Sequence, residues 1–121
     1  MNYSEMTLRY FESAPGVGVL SGPAAFRGAA GSRDQGTWVQ FDVQVGSGVI
    51  QDARFLAFAC PHTIAVAAWV VEQAVGHAAR PMLPESVEDL SRRFAVPVEK
   101  RGRLLIIEDA WLAGLMGALQ R

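Results

Sequence analysis

The sequence predicts an α+β fold, in which helices pack on one face of a small, three-stranded antiparallel sheet. The main evidence is the order of patterns along the chain, since a short helical segment precedes strand-like segments and then three helical segments. Segregated strands and helices are typical of α+β domains. With 121 residues, half of them hydrophobic and 19% charged, the chain has the composition of one globular domain spanning residues 1–121.

The first third of the chain contains the weaker patterns. Apolar and aromatic residues recur at helical spacing over residues 3–11, which predicts a short N-terminal helix. Val17 and Val19 indicate a short strand. Residues 21–36 are rich in glycine, alanine and serine, and this composition favours a mobile loop. No lysine followed by serine or threonine stands at P-loop spacing, so these glycines do not predict a phosphate site.

A β-hairpin is the clearest local prediction. From Trp38 to Val45 apolar and polar residues alternate, as expected for a strand with one buried face. Gly46-Ser47-Gly48 is then a three-residue turn signal, and Val49–Phe58 is the returning strand.

Three helices are predicted after the hairpin. The first covers residues 61–75, is apolar almost all round and should be buried on most sides, with Gly76 just beyond its end. The second ends before Pro97 and has an apolar face made of Leu83, Val87, Leu90 and Phe94. The third covers residues 103–119. Its apolar stripe comprises Leu104, Ile107, Trp111, Leu115 and Leu119, joined by Leu105, Leu112 and Met116.

Composition excludes several classes of function. The net charge is −1 and the isoelectric point is about 6.1, so the chain lacks the excess of positive charge that is typical of proteins that bind nucleic acid. No apolar stretch approaches the ~20 residues that span a bilayer, and the N-terminus lacks the pattern of a signal peptide. A single cysteine rules out an internal disulfide and suits a reducing compartment. We therefore expect a cytoplasmic protein that binds neither nucleic acid nor membrane.

Cys60 is the main candidate for chemistry, because it lies between a strand-like run and a helix-like run. Pro61 follows it, and proline is favoured at the first helical position, so Cys60 should be the N-cap of the helix. Unpaired N–H groups and the positive end of the helix dipole favour the thiolate there. The alternative is that Cys60 is an inert, buried, small hydrophobic residue.

Two interpretations are open for His62, which follows in the first turn of the same helix. It is either a metal ligand or thiolate partner, or an exposed polar residue with no special role. The second interpretation is favoured, because metal sites in proteins normally combine a histidine with several other ligands. The chain has only two histidines and no recognisable cysteine–histidine signature, so an enzyme is not expected.

The ordered elements resemble the iron–sulfur cluster assembly scaffold family of the IscU/NifU N-terminal type. The resemblance covers nearly the whole chain, with one shortened loop before Leu83. The segments that carry it are Met1-Asn2-Tyr3-Ser4-Glu5, Phe11-Glu12 with Val17-Gly18, Val49-Ile50-Gln51-Asp52-Ala53-Arg54-Phe55 leading into Cys60, Val96-Pro97-Val98-Glu99-Lys100, and Glu108-Asp109-Ala110. The resemblance implies an IscU/NifU-like fold and a role in iron–sulfur cluster assembly.

The resemblance also implies which residues line the site. The family holds its cluster with three cysteines on three loops, aided by an aspartate and a histidine. Here Gln35 stands at the first cysteine position and Thr37 at the aspartate position, while Cys60 is the second cysteine. Gly102 and Arg103 stand at the positions of the histidine and the third cysteine. This chain therefore keeps one thiolate, whereas a [2Fe–2S] cluster normally has four, some of them replaced by histidine.

If the three loops converge as the resemblance implies, Lys100, Arg101, Arg103 and Arg33 lie near Cys60. Such cations repel iron and zinc ions but stabilise a thiolate or persulfide anion. The expected site is thus suited to an anionic thiol, and no cofactor is expected.

Three hypotheses for function follow. In the first, the chain docks on a cysteine desulfurase or a related assembly protein, and on a chaperone through Val96-Pro97-Val98-Glu99-Lys100, and accepts sulfur on Cys60 as a persulfide. In the second, it binds zinc or an iron–sulfur cluster through Cys60, His62 and Asp34, or through Cys60 of two subunits. In the third, Cys60 is inert and the chain is a regulatory pseudo-scaffold. The first hypothesis is favoured, because the resemblance keeps one thiol and loses the other ligands.

Overall fold

The fold is that of an α+β domain, as predicted, with one three-stranded antiparallel sheet in the order β1-β2-β3. A computed structural model describes residues 3–120. Its elements are α1 (Glu5–Ser13), β1 (Ala25–Ser32), β2 (Thr37–Gly46), β3 (Val49–Phe58), α2 (Pro61–Ala74), α3 (Val87–Arg93), a short 3-10 helix (Val98–Lys100) and α4 (Gly102–Leu119). Within residues 3–120, no helix combines the length and the apolar character that a membrane crossing requires.

The predicted N-terminal helix is present as α1. Ser4 caps it, since its hydroxyl accepts a hydrogen bond of 3.1 Å from the N–H of Thr7. The buried Thr7 hydroxyl donates to the carbonyl of Phe94 at 2.9 Å and ties α1 to the end of α3. The helix ends at Ser13, and the next residue, Ala14, is in the left-handed conformation.

The predicted hairpin is confirmed as β2 and β3, paired from Trp38 opposite Phe58 to Gly46 opposite Val49. The turn is one residue shorter than predicted, because Gly46 still belongs to β2. Only Ser47 and Gly48 form the turn, with φ angles of 54° and 74°. Two consecutive residues with positive φ are characteristic of the type I′ turn, which matches the twist of a hairpin.

The prediction of a mobile loop over residues 21–36 is wrong, because most of that segment is β1. It pairs with β2 from Ala25 opposite Gln44 to Ser32 opposite Thr37. The residues of β1 are small because α4 packs closely against this strand. A Cβ atom added to Gly28 would lie 2.2 Å from the backbone nitrogen of Gly114. Glycine in a strand often marks such an approach.

The prediction of a strand at Val17 and Val19 is also wrong. Val17 forms one isolated parallel bridge with Phe55, and both valines are exposed. The Gly18 N–H donates to the Phe55 carbonyl at 2.8 Å, so this segment covers the free edge of β3 without becoming a strand. The third strand of the predicted sheet is therefore β1.

The buried helix α2 is confirmed. Cys60 is its N-cap and Pro61 is its first residue. Residues 65–71 are each at most 5% exposed. Gly76 has a φ of 89° just beyond the helix end, as its predicted position requires.

The second predicted helix, which was to carry Leu83 on its apolar face, is shorter than its apolar spacing indicated. Leu83 is buried but lies outside α3, since Ser86 is the N-cap and accepts a hydrogen bond of 3.1 Å from the N–H of Asp89. Pro84 separates Leu83 from that cap. The helix ends at Arg93, before the left-handed Ala95, and not at Pro97.

The last helix, α4, buries only part of its predicted stripe. Leu104, Ile107, Trp111 and Leu115 are each at most 1% exposed and face the sheet and the other helices. Three residues that were assigned to the same stripe are instead exposed, namely Leu105, Met116 and Leu119. They lie on the opposite side of the helix, because small residues such as Ala110 and Gly114 complete the buried side.

Candidate functional site

The candidate site lies at the end of the sheet where β3 stops and α2 begins, with Cys60 between them. Trp38 in β2 is opposite Phe58 in β3, so the turn between β1 and β2 lies at this same end. Arg33 in that turn has its guanidinium carbon 5.5 Å from the centre of the Trp38 ring and 5.9 Å from that of Phe58. The structure therefore brings Arg33 to the strand end that leads into Cys60.

The thiol of Cys60 is half-buried, and its Sγ lies 3.4 Å from the Oγ1 of Thr63. Burial raises the pKa of the thiol, while hydrogen bonding from the side chain and backbone of Thr63, and then from Arg103, lowers it. The net direction of the Cys60 pKa is downward. The site thus stabilises the thiolate relative to that of a free cysteine, and solvent reaches the thiol in part.

Arg103, in the first turn of α4, is the cation that acts on the pKa of this thiol. It is half-buried, and both its hydrogen-bonding capacity and its charge lower the Cys60 pKa. The resemblance assigned this position to the third cysteine of the family. At this position the chain carries a guanidinium, where the resemblance implies a thiolate ligand.

The expectation that His62 is an exposed first-turn residue is wrong, since it is only 3% exposed. Its ring contacts the edge of the Tyr3 ring, with 4.7 Å between the ring centres. Burial, followed by the charges of Lys100 and Arg103, lowers the pKa of His62. The imidazole is therefore neutral near pH 7, and within residues 3–120 its Nδ1 has no hydrogen-bond partner.

The remaining predicted residues lie in the turn between β1 and β2 and at the starts of β2 and α4. Gln35 and Asp34 are exposed in the turn between β1 and β2, and within the described part of the chain no hydrogen bond or ion pair joins their side chains to Cys60. Thr37 is buried at the start of β2, and Gly102 is exposed at the start of α4.

Thr63 is the site residue that the sequence analysis missed. It is 1% exposed and stands three residues after the N-cap, where a side chain commonly interacts with the capping residue. This spacing was visible in the sequence. Its importance depended on which way the Cys60 side chain points, and only the fold shows that.

The donor set does not fit an iron–sulfur cluster or a zinc ion. Both need several thiolate, imidazole or carboxylate ligands at one point. The site offers one thiolate, beside the guanidinium of Arg103. Among residues 3–120, no group of three or more histidine, cysteine, aspartate or glutamate side chains is close enough to hold a metal ion. Asp34 therefore does not join Cys60 and His62 in a three-ligand site.

Comparison with known proteins gives consistent matches. The profile of the NifU-like N-terminal domain family matches residues 2–116. The chain is 25% identical over 116 residues to iron sulfur cluster assembly protein 1 of Trachipleistophora hominis, covering 94% of this chain and 84% of that protein. It is 27% identical over 111 residues to the iron-sulfur cluster assembly protein IscU of Plasmodium falciparum, covering 90% of this chain and 68% of that protein.

Two solved structures share the fold. One is a NifU-like N-terminal protein from Brucella abortus, with a TM-score of 0.75 and 17% identity over 98% of this chain and 94% of that chain. The other is a putative iron-sulfur cluster assembly scaffold protein for the SUF system from Fervidobacterium islandicum, with a TM-score of 0.75 and 16% identity over 93% and 96% of the two chains. At these identities the structural matches establish the fold alone.

Proposed function

Because the chain belongs to the NifU-like N-terminal domain family, we propose that it takes part in iron–sulfur cluster assembly by accepting sulfur, and that it does not hold a cluster by itself. Its relatives in Trachipleistophora hominis and Plasmodium falciparum are named for iron–sulfur cluster assembly. The observation that carries the proposal is the single thiol of the site. Cys60 is half-buried, has a lowered pKa and lies beside Arg103, without other thiolates.

The proposed step is a persulfide transfer onto Cys60. Its thiolate attacks the outer sulfur of a persulfide on a donor protein. A new S–S bond forms at Cys60, the S–S bond of the donor breaks, and the donor cysteine leaves as a thiolate. No oxidant or reductant is consumed. Arg103 favours both the attacking thiolate and the persulfide anion that results. In this proposed role the chain is a carrier of sulfur and not an enzyme.

A cysteine desulfurase is the proposed donor, since such an enzyme forms a persulfide from cysteine. The surface next to the thiol suits docking, because the Phe58 ring is 51% exposed and Arg33 lies over it. A chaperone is the second proposed partner, on residues 96–100. In that segment Val96 is buried, whereas Val98 is 73% exposed, so Val98 would make the apolar contact.

The test measures sulfur on the intact protein. The chain is incubated with a cysteine desulfurase and cysteine, and its mass is recorded without reductant. We expect the gain of at least one sulfur atom in the wild type and none in Cys60→Ser. Arg103→Gln should slow the gain, while Arg101→Gln, which changes an exposed arginine two residues away, should leave the rate unchanged.

Two other outcomes correspond to the other hypotheses. Iron with acid-labile sulfide, or zinc, that is present after anaerobic purification and absent from Cys60→Ser would contradict the sulfur-carrier proposal and favour a metal protein. A desulfurase that is active on cysteine but adds no sulfur to the wild type would contradict it as well. In that case Cys60 is inert and the chain is a regulatory pseudo-scaffold.

A further inference from the structure

A cavity of about 600 Å³ lies at the end of α2 that is far from Cys60. Its floor consists of apolar core side chains, among them Trp69 in α2, Trp111 in α4 and Leu83 in the segment between α2 and α3. Cys60 precedes the first residue of α2, whereas Ala74, the last residue of that helix, lines the cavity. The 14 residues of α2 set the two places about 20 Å apart. The cavity is therefore separate from the candidate site.

The segment between α2 and α3, residues 75–86, forms one wall of the cavity and is tied to the rest of the domain by hydrogen bonds. The Ile50 N–H donates to the His77 carbonyl at 2.9 Å. The indole N–H of Trp111 donates to the Met82 carbonyl at 3.0 Å. Two prolines in the segment restrict its backbone further. The cavity is therefore part of the folded structure, as small-molecule sites in proteins usually are.

The charged side chains that line the cavity leave one positive charge unbalanced. Arg93 and Glu85 compensate each other, since the Nε of Arg93 donates to a carboxylate oxygen of Glu85 at 3.1 Å. The guanidinium carbon of Arg93 also lies 5.0 Å from the centre of the Trp69 ring. Arg80 is exposed at the rim, and within residues 3–120 its side chain has no ion pair or hydrogen bond. The cavity thus combines an apolar floor with one unpaired cation.

We propose that this cavity binds a small organic acid, with the apolar body of the acid on the floor and its carboxylate on Arg80. The volume lies within the range of about 300–1,000 Å³ that is typical of small-molecule sites. Arg80 would repel an apolar amine, and a neutral molecule would leave this arginine without a counter-charge. Met82 is 58% exposed, and its flexible thioether chain adapts to either an acyl chain or an aromatic ring. The charge and polarity of the cavity therefore select an acid with an apolar body.

The proposed binding does not depend on sulfur transfer. Because the cavity and Cys60 lie at opposite ends of α2, a bound acid leaves the thiol open to a donor protein. Binding is measured on the chain alone, without a desulfurase, so a failed sulfur transfer and a cavity that binds nothing are separate results. For acids of about 10–12 non-hydrogen atoms we expect dissociation constants between about 10 μM and about 1 mM.

The first test follows the indole N–H signals of the three tryptophans by NMR while octanoate, or 1-naphthoate in a second series, is added to the full chain. These two probes distinguish an acyl from an aromatic body. We expect the signals of Trp69 and Trp111 to shift and to saturate. Trp38 is the internal control, because it does not line the cavity and lies at the end of the sheet near Cys60. No shift with either acid up to about 5 mM, or an equal shift of the Trp38 signal, overturns the proposal.

Variants test the two parts of the cavity separately, with the acid that binds more tightly. Arg80→Gln should weaken its binding by about threefold to tenfold, while Arg101→Gln, which changes an exposed arginine outside the cavity, should not. Ala78→Phe should abolish binding, because Ala78 is an exposed residue that lines the cavity, and Ala113→Phe on the exposed side of α4 is its control. Circular dichroism verifies that each variant is folded. An Ala78→Phe variant that binds the acid as tightly as the wild type, or a wild type that binds octylamine as tightly as octanoate, overturns the proposal.

Discussion

The contact between β1 and α4 gives the sharpest prediction about stability. A Cβ atom on Gly28 would lie 2.2 Å from the nitrogen of Gly114, 2.3 Å from the carbonyl oxygen of Ala110 and 2.8 Å from the carbonyl carbon of Ala113. All three are backbone atoms, so no side-chain rotation relieves the overlap. Since non-bonded carbon atoms separate by about 3.5 Å or more, Gly28→Ala must push α4 and β1 apart by about 1 Å or more.

The cost is expected to be large for the addition of one methyl group. Overpacking in a core costs about 1–3 kcal/mol, and the upper end applies where backbone has to move. A shifted α4 also loosens the packing of Ile107, Trp111 and Leu115, which are at most 1% exposed. The better strand propensity of alanine offsets only about 0.5–1 kcal/mol. We expect Gly28→Ala to lower the free energy of unfolding by about 3 kcal/mol, or Tm by roughly 10 °C.

Urea denaturation followed by tryptophan fluorescence measures this change, since Trp111 lies in α4 with its ring centre 5.1 Å from that of Phe41 in β2. Gly114→Ala is the matched control on the opposite side of the same contact. Its Cβ would lie 3.4 Å from the Gly28 nitrogen and 3.7 Å from the Phe41 carbonyl oxygen. Helix propensity favours alanine there by up to about 1 kcal/mol, so we expect little net change. If Gly28→Ala unfolds at the same urea concentration as the wild type, the close approach of α4 to β1 is refuted.

Three further predictions concern charge. Removing the Arg103 charge in Arg103→Gln should raise the pKa of Cys60, and the pH at which iodoacetamide alkylation reaches half its maximal rate should move upward. The folded-state pKa of His62 is lowered, so the unfolded chain binds the proton more readily. Stability should therefore be constant above pH ~6.5 and fall below it by at most about 1.4 kcal/mol per pH unit from this residue, as Tm against pH would show. Arg27→Ala should cost more stability than Asp42→Ala in urea denaturation. The first leaves a carboxylate that is 2% exposed with the Leu20 N–H as its remaining hydrogen-bond partner. The second leaves a guanidinium that solvent reaches, and one backbone N–H without its acceptor.

Each of these predictions has a matched control. Arg101→Gln should not change the pH profile of alkylation, and an equal shift in both variants would mean that Arg103 has no special position. His62→Gln should flatten the fall in Tm below pH 6.5, and the same substitution at the exposed His77 is the control. A wild type and a His62→Gln variant with the same pH slope would contradict a buried neutral imidazole. Equal costs for the Arg27 and Asp42 variants would contradict the burial of the Asp42 carboxylate.

Local periodicity was sufficient to predict the elements whose burial in the structure follows their own apolar pattern. The alternation from Trp38 to Val45 predicted a strand with one buried face, and Val39, Phe41 and Val43 are each fully buried in β2. The all-round apolar character of α2 likewise predicted its burial. The position of Cys60 as the N-cap followed from Pro61 alone, because proline at the first helical turn has a local steric reason.

The segment that became β1 could not be assigned by the same means. Its glycines and alanines have weak strand propensity, and in isolation they are typical of loops. These residues are small because β1 packs closely against α4, and α4 begins about seventy residues later in the chain. The exposed side of α4 was misjudged for the related reason that its buried side is completed by alanine and glycine rather than by large apolar residues.

The sequence by itself determined the fold class, the hairpin, the N-cap position of Cys60 and the presence of a single thiol, because each depends on neighbouring residues or on the identity of single positions. Only the tertiary structure decided that His62 is buried against Tyr3, that Arg103 reaches the thiol, and that Thr63 contacts it. Those facts depend on which faces of separate elements meet. Side-chain packing between distant parts of the chain determines which faces are in contact, and no local pattern encodes that.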